Sequence, residues 1–196
     1  MTLRARLEKI KAFKQGMFSP QRLRTTGSHL PVLRAALEVF NDTYCTALEH
    51  GCGYYSTLEL SKCNVVESFD SNTDWIVTIS KEVESTITKL HPPMIPPDKR
   101  DVDILFIDGT GDTRSLWLSH YLPTTKKIAI WHDTDESSYE YPEVQGRYSL
   151  RSTSCWTDFW LRNDSQAFME ALERHYFDLK LPNPMEIKYV GSSNKE

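Results

Sequence analysis

Residues 44–58 constrain the fold of this chain more than any other segment. A short apolar run that ends at Leu48 is typical of a buried strand, and it is followed by the acidic residue Glu49 and then by Gly51 and Gly53. Two glycines there allow a tight turn with positive φ and let a ligand lie against the backbone. Small hydroxyl residues follow and predict a helix whose first N–H groups face the turn. The segment predicts a nucleotide-type cradle, although a Gly-x-Gly pair alone often marks only a tight turn.

Three more predicted strands end in polar residues or glycine, as the first one does. The strands over residues 64–69, 102–107 and 127–131 are followed by Asp70, by Asp108-Gly109 and by His132-Asp133-Thr134, respectively. Strands that alternate with helices predict an open, mostly parallel central sheet with helices on both faces. Ligands in such sheets bind beyond the carboxyl ends of the strands. The sequence therefore predicts a single α/β domain with a binding site at this edge of the sheet.

The remaining pattern adds two short extensions to that domain. Residues 1–25 predict an N-terminal helical extension, with an amphipathic helix over residues 3–15, and residues 191–196 predict a flexible tail. The α/β domain spans residues 26–190. Its other predicted elements are helices near residues 32–40, 57–61, 75–82, 114–122 and 165–176, strands near residues 86–90, 153–161 and 185–190, and a loop or short helix at residues 137–146.

Composition and charge argue against several classes of protein. The 196-residue chain carries a formal net charge of −4, which gives no electrostatic reason to expect nucleic acid or an anionic membrane surface as a partner. The sequence contains no apolar stretch that predicts a membrane span or a signal peptide. The cysteines show no metal-site spacing, and free thiols in a reducing cytoplasm are the simplest interpretation. They are Cys45, Cys52, Cys63 and Cys155.

Taken in order, these segments resemble the class I S-adenosylmethionine-dependent methyltransferases, and the resemblance covers roughly residues 26–135. Glu49-His50-Gly51-Cys52-Gly53 resembles the first motif of that family, E/D-x-G-x-G. Residues 106–109 and 130–134 are similar to its fourth-strand motif and to the "HDT" ending of its fifth strand. The latter ending, with residues 27–33, is similar to small-molecule and sugar O-methyltransferase-like branches. The resemblance implies a single Rossmann-like methyltransferase domain.

The same resemblance implies S-adenosylmethionine as the cofactor and a small molecule, with a hydroxyl group, as the acceptor. Asp70 corresponds to the acidic residue that holds both ribose hydroxyls in the family. Tyr55 stands where the family frequently has a third glycine. The residues implied to bind the cofactor are Glu49, Gly51, Cys52, Gly53, Tyr55, Ser56, Asp70, Asp108 and Gly109.

Three residues at the ends of the fourth and fifth strands are implied to act on the acceptor: His132, Asp108 and Asp133. An imidazole with an ordinary pKa of about 6.5 suits proton removal at neutral pH, so His132 is a possible general base. It is equally well interpreted as a histidine that only hydrogen-bonds at a strand end. Asp108 and Asp133 are also the residues that would share Mg²⁺, as in metal-dependent O-methyltransferases. We interpret His29 as a helix-start residue near the cofactor entrance.

Two other functions remain open at this stage. Gly51-x-Gly53-x-x-Ser56 approximates a dinucleotide fingerprint, and with Asp70 on a ribose it fits an NAD(P)-dependent oxidoreductase. A methyltransferase-like fold that binds a ligand without catalysis is the second alternative. Because the chain has no large inserted substrate domain, a homo-oligomer in which a second subunit completes the acceptor site is a further hypothesis.

Overall fold

The computed structural model describes residues 27–40, 44–83, 87–91, 95–151, 156–181 and 185–191. The predicted N-terminal extension, all of the predicted tail except Gly191, and Cys155 lie outside these residues. Within the described part of the chain, no helix is both long enough and apolar enough to cross a membrane. Among the same residues, Cys45, Cys52 and Cys63 are not joined in disulfides.

Strands and helices alternate through the first two thirds of the described chain. The helices are α1 (Leu30–Phe40), α2 (Ser56–Leu60), α3 (Thr73–Val83), α4 (Gly111–Tyr121) and α5 (Gln166–Asp178). The strands are β1 (Thr46–His50), β2 (Val65–Asp70), β3 (Ile87–Lys89), β4 (Val102–Ile107), β5 (Thr125–His132), β6 (Arg147–Arg151), β7 (Trp156–Leu161) and β8 (Glu186–Val190). Short 3-10 helices follow α4 and β5, at Leu122–Thr124 and Ser137–Tyr139.

One sheet contains all eight of these strands, in the order β3-β2-β1-β4-β5-β7-β6-β8. The strands from β3 to β5 are parallel, whereas β7 is antiparallel to both β5 and β6, and β8 is antiparallel to β6. The chain runs outward from β1 to β3 and then returns to β4 on the other side of β1. This reversal places a topological switch point between β1 and β4, where open α/β sheets bind their ligands. The predicted fold class is confirmed.

Helices cover both faces of the sheet because the central strands are apolar on both sides. In β4, Ile104 and Phe106 pack in the core under α1 and α5, whereas Leu105 and Ile107 pack in the core under α4. Successive side chains of a strand point to opposite faces, so a continuous apolar run is what a central parallel strand requires. Trp117 of α4 is fully buried in the second core. The sheet edge that carries the site is therefore held between two packed layers.

The outer strand β6 differs from the sequence prediction, which placed residues 147–151 outside any strand. These residues pair with β7 in an antiparallel ladder, with Tyr148 opposite Phe159 and Leu150 opposite Thr157. The segment is short and has arginine at both ends, so its apolar signal is confined to two alternate residues. Without residues 147–151, the side of β7 that faces away from β5 would have no hydrogen-bonding partner, so these residues pair with it as a strand. Between β5 and β6 the sequence predicted a loop or a short helix, and the structure has only the 3-10 turn at Ser137–Tyr139 there.

Candidate functional site

The turn after β1 lies against the turn after β4. Gly51 has φ +92°, and a Cβ atom there would overlap the backbone of Gly109. Its N–H donates to the carbonyl of Phe69 at 2.7 Å, which ties the turn to the end of β2 as well. Gly53 is different, because a Cβ atom there would meet only the Ser56 hydroxyl, at 3.1 Å. Gly51 is thus fixed by contact with backbone atoms, whereas the nearest group to a Cβ atom at Gly53 is a side chain that can shift.

Glu49 supports this turn through hydrogen bonds in the interior of the protein. Its side chain is fully buried and accepts hydrogen bonds from the hydroxyls of Thr57, at 2.9 Å, and Ser68, at 2.6 Å. The Thr57 hydroxyl in turn accepts from the N–H of Gly53 at 2.9 Å. Burial raises the pKa of Glu49 to about 7, although these hydrogen bonds oppose the shift. Glu49 therefore holds the glycine turn in place through Thr57, away from any ligand surface.

The two residues after the turn, like Glu49, point inward. Tyr55 packs into the core formed with α1, and the Ser56 side chain is buried beside Glu49. Helix α2 begins at Ser56 and has only five residues, so its dipole is small. The predicted contribution of helix N–H groups to the cradle is correspondingly minor. The turn itself, with Gly53 at its open side, is the part that a ligand can approach.

The pH dependence of stability should report the buried carboxyl of Glu49. Its pKa in the folded protein lies above the ordinary value of 4.5, so the fold favours the protonated form. That stabilisation is present at low pH and is lost as the pH rises from about 4.5 to about 7. We expect Glu49→Gln to gain about 2 to 3 kcal/mol in unfolding free energy relative to the wild type between about pH 5 and about pH 8. Urea denaturation at both pH values measures this difference. Glu173→Gln, exposed on α5, is the control, and parallel pH profiles for Glu49→Gln and the wild type would contradict the expectation.

Asp70, at the end of β2, holds the other side of the glycine turn. One carboxylate oxygen accepts from the N–H of Cys52 at 3.1 Å, and the other accepts from the N–H of Asn72 at 2.8 Å. The Trp75 indole donates to the carbonyl of Cys52 at 2.6 Å. An ionised carboxylate offers about four acceptor positions, so Asp70 keeps capacity for a ligand hydroxyl after these bonds. Its side chain is half-buried at the sheet edge.

Arg114, in the first turn of α4, joins the ends of β4 and β5. Its buried guanidinium donates to the carboxylate of Asp108 at 3.0 Å and to that of Asp133 at 3.2 Å. It also donates to the carbonyls of Gly109 and His132, at 2.8 Å and 3.0 Å. A guanidinium therefore bridges the two carboxylates that the sequence analysis assigned to Mg²⁺. This pair does not fit Mg²⁺, because the guanidinium occupies the position of an ion that both carboxylates would share.

His132 is bonded on both sides of its ring. Its Nε2 lies 2.7 Å from the Ser28 hydroxyl, and its Nδ1 lies 3.2 Å from carboxylate oxygens of both Asp108 and Asp133. The His132 side chain is 4% exposed, whereas those of Asp108 and Asp133 are 24% and 29% exposed. The carboxylates, and not the imidazole, are therefore the groups at the surface of the site. Asp133 takes φ +55°, a conformation that Asp tolerates better than most residues.

The residues around Asp108 favour the ionised form of its carboxyl group. Burial opposes ionisation of this carboxyl, but the neighbouring His132, which also hydrogen-bonds to it, and the Arg114 guanidinium outweigh burial, so the pKa of Asp108 lies below its usual value. Asp108 is consequently a poor proton acceptor and a good hydrogen-bond acceptor at neutral pH. The Tyr139 ring covers the Arg114 guanidinium at 4.2 Å and closes this side of the cluster.

His29 is the residue whose position the sequence analysis least anticipated. It lies 4.7 Å from the His132 ring, between centroids, and is 2% exposed. Neither of its ring nitrogens has a hydrogen-bond partner among the described residues. Burial, and next the proximity of His132, lower the pKa of His29 to about 3, so the ring is neutral. Ser28, His29 and Arg114 all contact the predicted residues, yet Ser28 is 104 positions from His132 and no local pattern links them.

The fold can now be compared with known proteins. No protein-family model matches the chain, and no curated protein matches it in sequence. An O-methyltransferase from Bacillus cereus, solved in complex with SAH, superposes with a TM-score of 0.55 at 11% identity, over 80% of this chain and 90% of that one. The O-methyltransferase TomG from Streptomyces achromogenes, involved in tomaymycin synthesis and solved with SAM, gives 0.52 at 11% identity, over 80% and 89%. The chain has the fold of the class I S-adenosylmethionine-dependent methyltransferases.

Proposed function

We propose that the protein is an S-adenosylmethionine-dependent methyltransferase that acts on a hydroxyl group of a small molecule. The observation that carries the proposal is the glycine turn at the β1/β4 switch point, with Asp70 on one side and the Asp108–Asp133 carboxylates on the other. One sheet edge thus offers a backbone cradle and an acidic face next to each other. Structures of the same fold from Bacillus cereus and Streptomyces achromogenes were solved with SAH and SAM, which supports this assignment.

The cradle residues fit the cofactor in three ways. Gly53 carries no side chain of its own, and only the Ser56 hydroxyl lies near the position of a Cβ atom there, so the backbone can take an adenosyl group against it. Asp70 has acceptor positions left for ribose hydroxyls and is itself held by the Cys52 amide. The packing of Gly51 on Gly109 fixes the distance between the cradle and the end of β4. When bound, S-adenosylmethionine supplies an electrophilic methyl group on a positive sulfonium.

The acidic face is assigned to the acceptor. Asp108 and Asp133 are the exposed carboxylates there, and each can accept a hydrogen bond from an acceptor hydroxyl. Because its pKa is lowered, Asp108 orients the acceptor and is a weak base, so the hydroxyl proton that methyl transfer releases passes to solvent on the exposed side of the two carboxylates. His132, with both nitrogens bonded to protein groups, acts as a positioning residue for these carboxylates. Positioning is a large part of what in-line methyl transfer requires.

The proposal predicts selective binding of S-adenosylhomocysteine. Calorimetric titration of the full chain should show binding of this ligand and none of NADH. We expect Asp70→Ala to weaken binding about 10- to 100-fold, since hydrogen bonds to a charged group contribute about 1.5 to 3 kcal/mol. Asp70→Asn keeps one acceptor for the Cys52 amide and should weaken binding less.

Asp74→Asn is the matched control, because Asp74 is an exposed acid in the first turn of α3, four residues from Asp70. It should bind S-adenosylhomocysteine as the wild type does. Circular dichroism of each variant separates loss of binding from loss of fold. If the wild type binds NADH and not S-adenosylhomocysteine, the oxidoreductase alternative replaces this proposal. If S-adenosylhomocysteine binds but no hydroxyl acceptor is methylated, the non-catalytic alternative replaces it.

A further inference from the structure

We propose that His29, His132 and Asp108 form a binding site for a divalent transition-metal ion of the Zn²⁺ type. These three residues, named here the His–His–Asp cluster, come from the start of α1 and from the ends of β5 and β4. The inference does not depend on the cofactor or the acceptor, since it concerns only whether these side chains bind an ion.

The donor atoms of the cluster already converge. One possible ligand atom from each residue lies within 4.8 Å of the other two. His132 Nδ1 and Asp108 Oδ1 are 3.2 Å apart. Two donors on one tetrahedral zinc ion lie about 3.3 Å apart, given metal–ligand distances near 2.0 Å. A His29 nitrogen lies within 4.8 Å of a ligand atom of each of the other two residues, so the three donors surround one common position.

The ring nitrogens of His29 give a second indication of a bound ligand, independent of the convergence of the donor atoms. Its imidazole is nearly completely buried, and its two nitrogens have no hydrogen-bond partner among the described residues. An unpaired buried polar group costs about 1 to 3 kcal/mol of stability, so proteins rarely retain one without a reason. A metal ion between His29 and His132 would satisfy one of these nitrogens. Phe106, at 4.9 Å between ring centroids, packs on the ring and limits where it can turn.

The groups around the cluster are those that usually orient metal ligands. The Ser28 hydroxyl lies 2.7 Å from His132 Nε2 and orients the ring, so an ion at Nδ1 would replace the contacts of this nitrogen with Asp108 and Asp133. Arg114 holds the carboxylate of Asp108 at 3.0 Å. Such outer hydrogen bonds fix the ring and carboxylate orientation of metal ligands. The two carboxylates of Asp108 and Asp133 outnumber the one guanidinium beside them, that of Arg114, which favours a cation here.

The donor types favour a transition metal over Mg²⁺. Two imidazole nitrogens and one carboxylate suit Zn²⁺, Fe²⁺ and Co²⁺, whereas Mg²⁺ prefers oxygen ligands. Only Asp108 of the three is appreciably exposed, so a fourth ligand would enter from its side. The site therefore differs in both residues and chemistry from the two-carboxylate site that the sequence analysis considered.

The experiment measures metal binding directly. The full chain is stripped with a chelator, and Zn²⁺ is then titrated by calorimetry, while Co²⁺ binding is followed by its visible absorption. We expect one equivalent of either ion, and no displacement by excess Mg²⁺. His29→Phe should weaken Zn²⁺ binding at least 10-fold, which is about 1.4 kcal/mol. Phenylalanine fills the same apolar surroundings and removes two unpaired nitrogens, so this variant should fold.

His175→Gln is the control, because His175 lies on α5 next to Glu38, outside the cluster. It should bind one equivalent as the wild type does. Zn²⁺ binding by His29→Phe with wild-type affinity would overturn the proposal, as would a folded wild type that binds no ion. S-adenosylhomocysteine binding is measured on the same samples. If S-adenosylhomocysteine does not bind but Zn²⁺ does, the result counts against the proposed methyltransferase and not against the metal site.

Discussion

Gly51→Ala is expected to lower the free energy of unfolding by about 3 to 5 kcal/mol, the sum of backbone strain at positive φ and overpacking. Gly51 has φ +92°, where an L side chain is strained. The added Cβ atom would also overlap the backbone of Gly109, so the ends of β1 and β4 would have to separate. Backbone atoms cannot turn aside as a flexible side chain can. Urea denaturation of the variant and the wild type measures the loss.

Gly53→Ala provides the comparison within the same turn. Its Cβ atom would meet only the Ser56 hydroxyl, at 3.1 Å, which can shift by a few tenths of an ångström. We expect a change in stability of less than about 1 kcal/mol, together with weaker S-adenosylhomocysteine binding, because the methyl group would project into the open side of the cradle. Equal destabilisation by the two substitutions would show that the Gly51–Gly109 contact is not the cause.

Arg114→Met is expected to cost about 3 to 5 kcal/mol of stability, because it removes one partner of a buried charge network. The substitution leaves Asp108 and Asp133 close together without their shared cation. It also removes the guanidinium donor from the carbonyls of Gly109 and His132, although the His132 carbonyl still accepts from the Tyr141 hydroxyl at 2.8 Å. Arg114→Lys keeps the charge but lacks the planar fork that contacts both carboxylates, so an intermediate loss is expected. Urea denaturation at neutral pH measures all three proteins.

Arg174→Met is the control for this effect. Arg174 contacts Glu38 at an exposed position on α5, and such surface ion pairs contribute about 0 to 1 kcal/mol. A loss below about 1 kcal/mol for Arg114→Met would mean that the carboxylates find other partners or water, and the account of the cluster given above would be wrong.

The central sheet could be predicted because its strands carry a strong local signal. β4 is an apolar run that is buried on both faces, and the polar residues that follow it appear at once in the sequence. The same holds for β5 and for the glycine turn after β1. β6 could not be predicted, because its stability comes from pairing with β7 and β8 and hardly from its own residues. Sequence patterns indicate well which strands are buried, and indicate poorly which strands form through pairing with their neighbours.

The site was predictable only where strand ends create it. Asp108 and Asp133 follow neighbouring strands, so their proximity could be inferred from the strand pattern. Arg114 could not be assigned, since an arginine early in a helix has no preferred partner until the strand order is known. Ser28 and His29 contact His132 across more than a hundred residues, and the neutrality of His29 arises from burial. Long-range contacts and desolvation are properties of the folded chain.

The contact between Gly51 and Gly109 couples the position of the glycine turn to the position of the acidic face. Gly51 belongs to the cradle, and Gly109 directly follows Asp108 on the acidic face. A ligand that tightens the glycine turn must therefore shift the backbone that carries Asp108. Thermodynamic reciprocity then requires that each ligand changes the affinity of the other by the same factor. We expect bound S-adenosylhomocysteine to change the affinity for the acceptor, and bound acceptor to change the affinity for S-adenosylhomocysteine to the same extent.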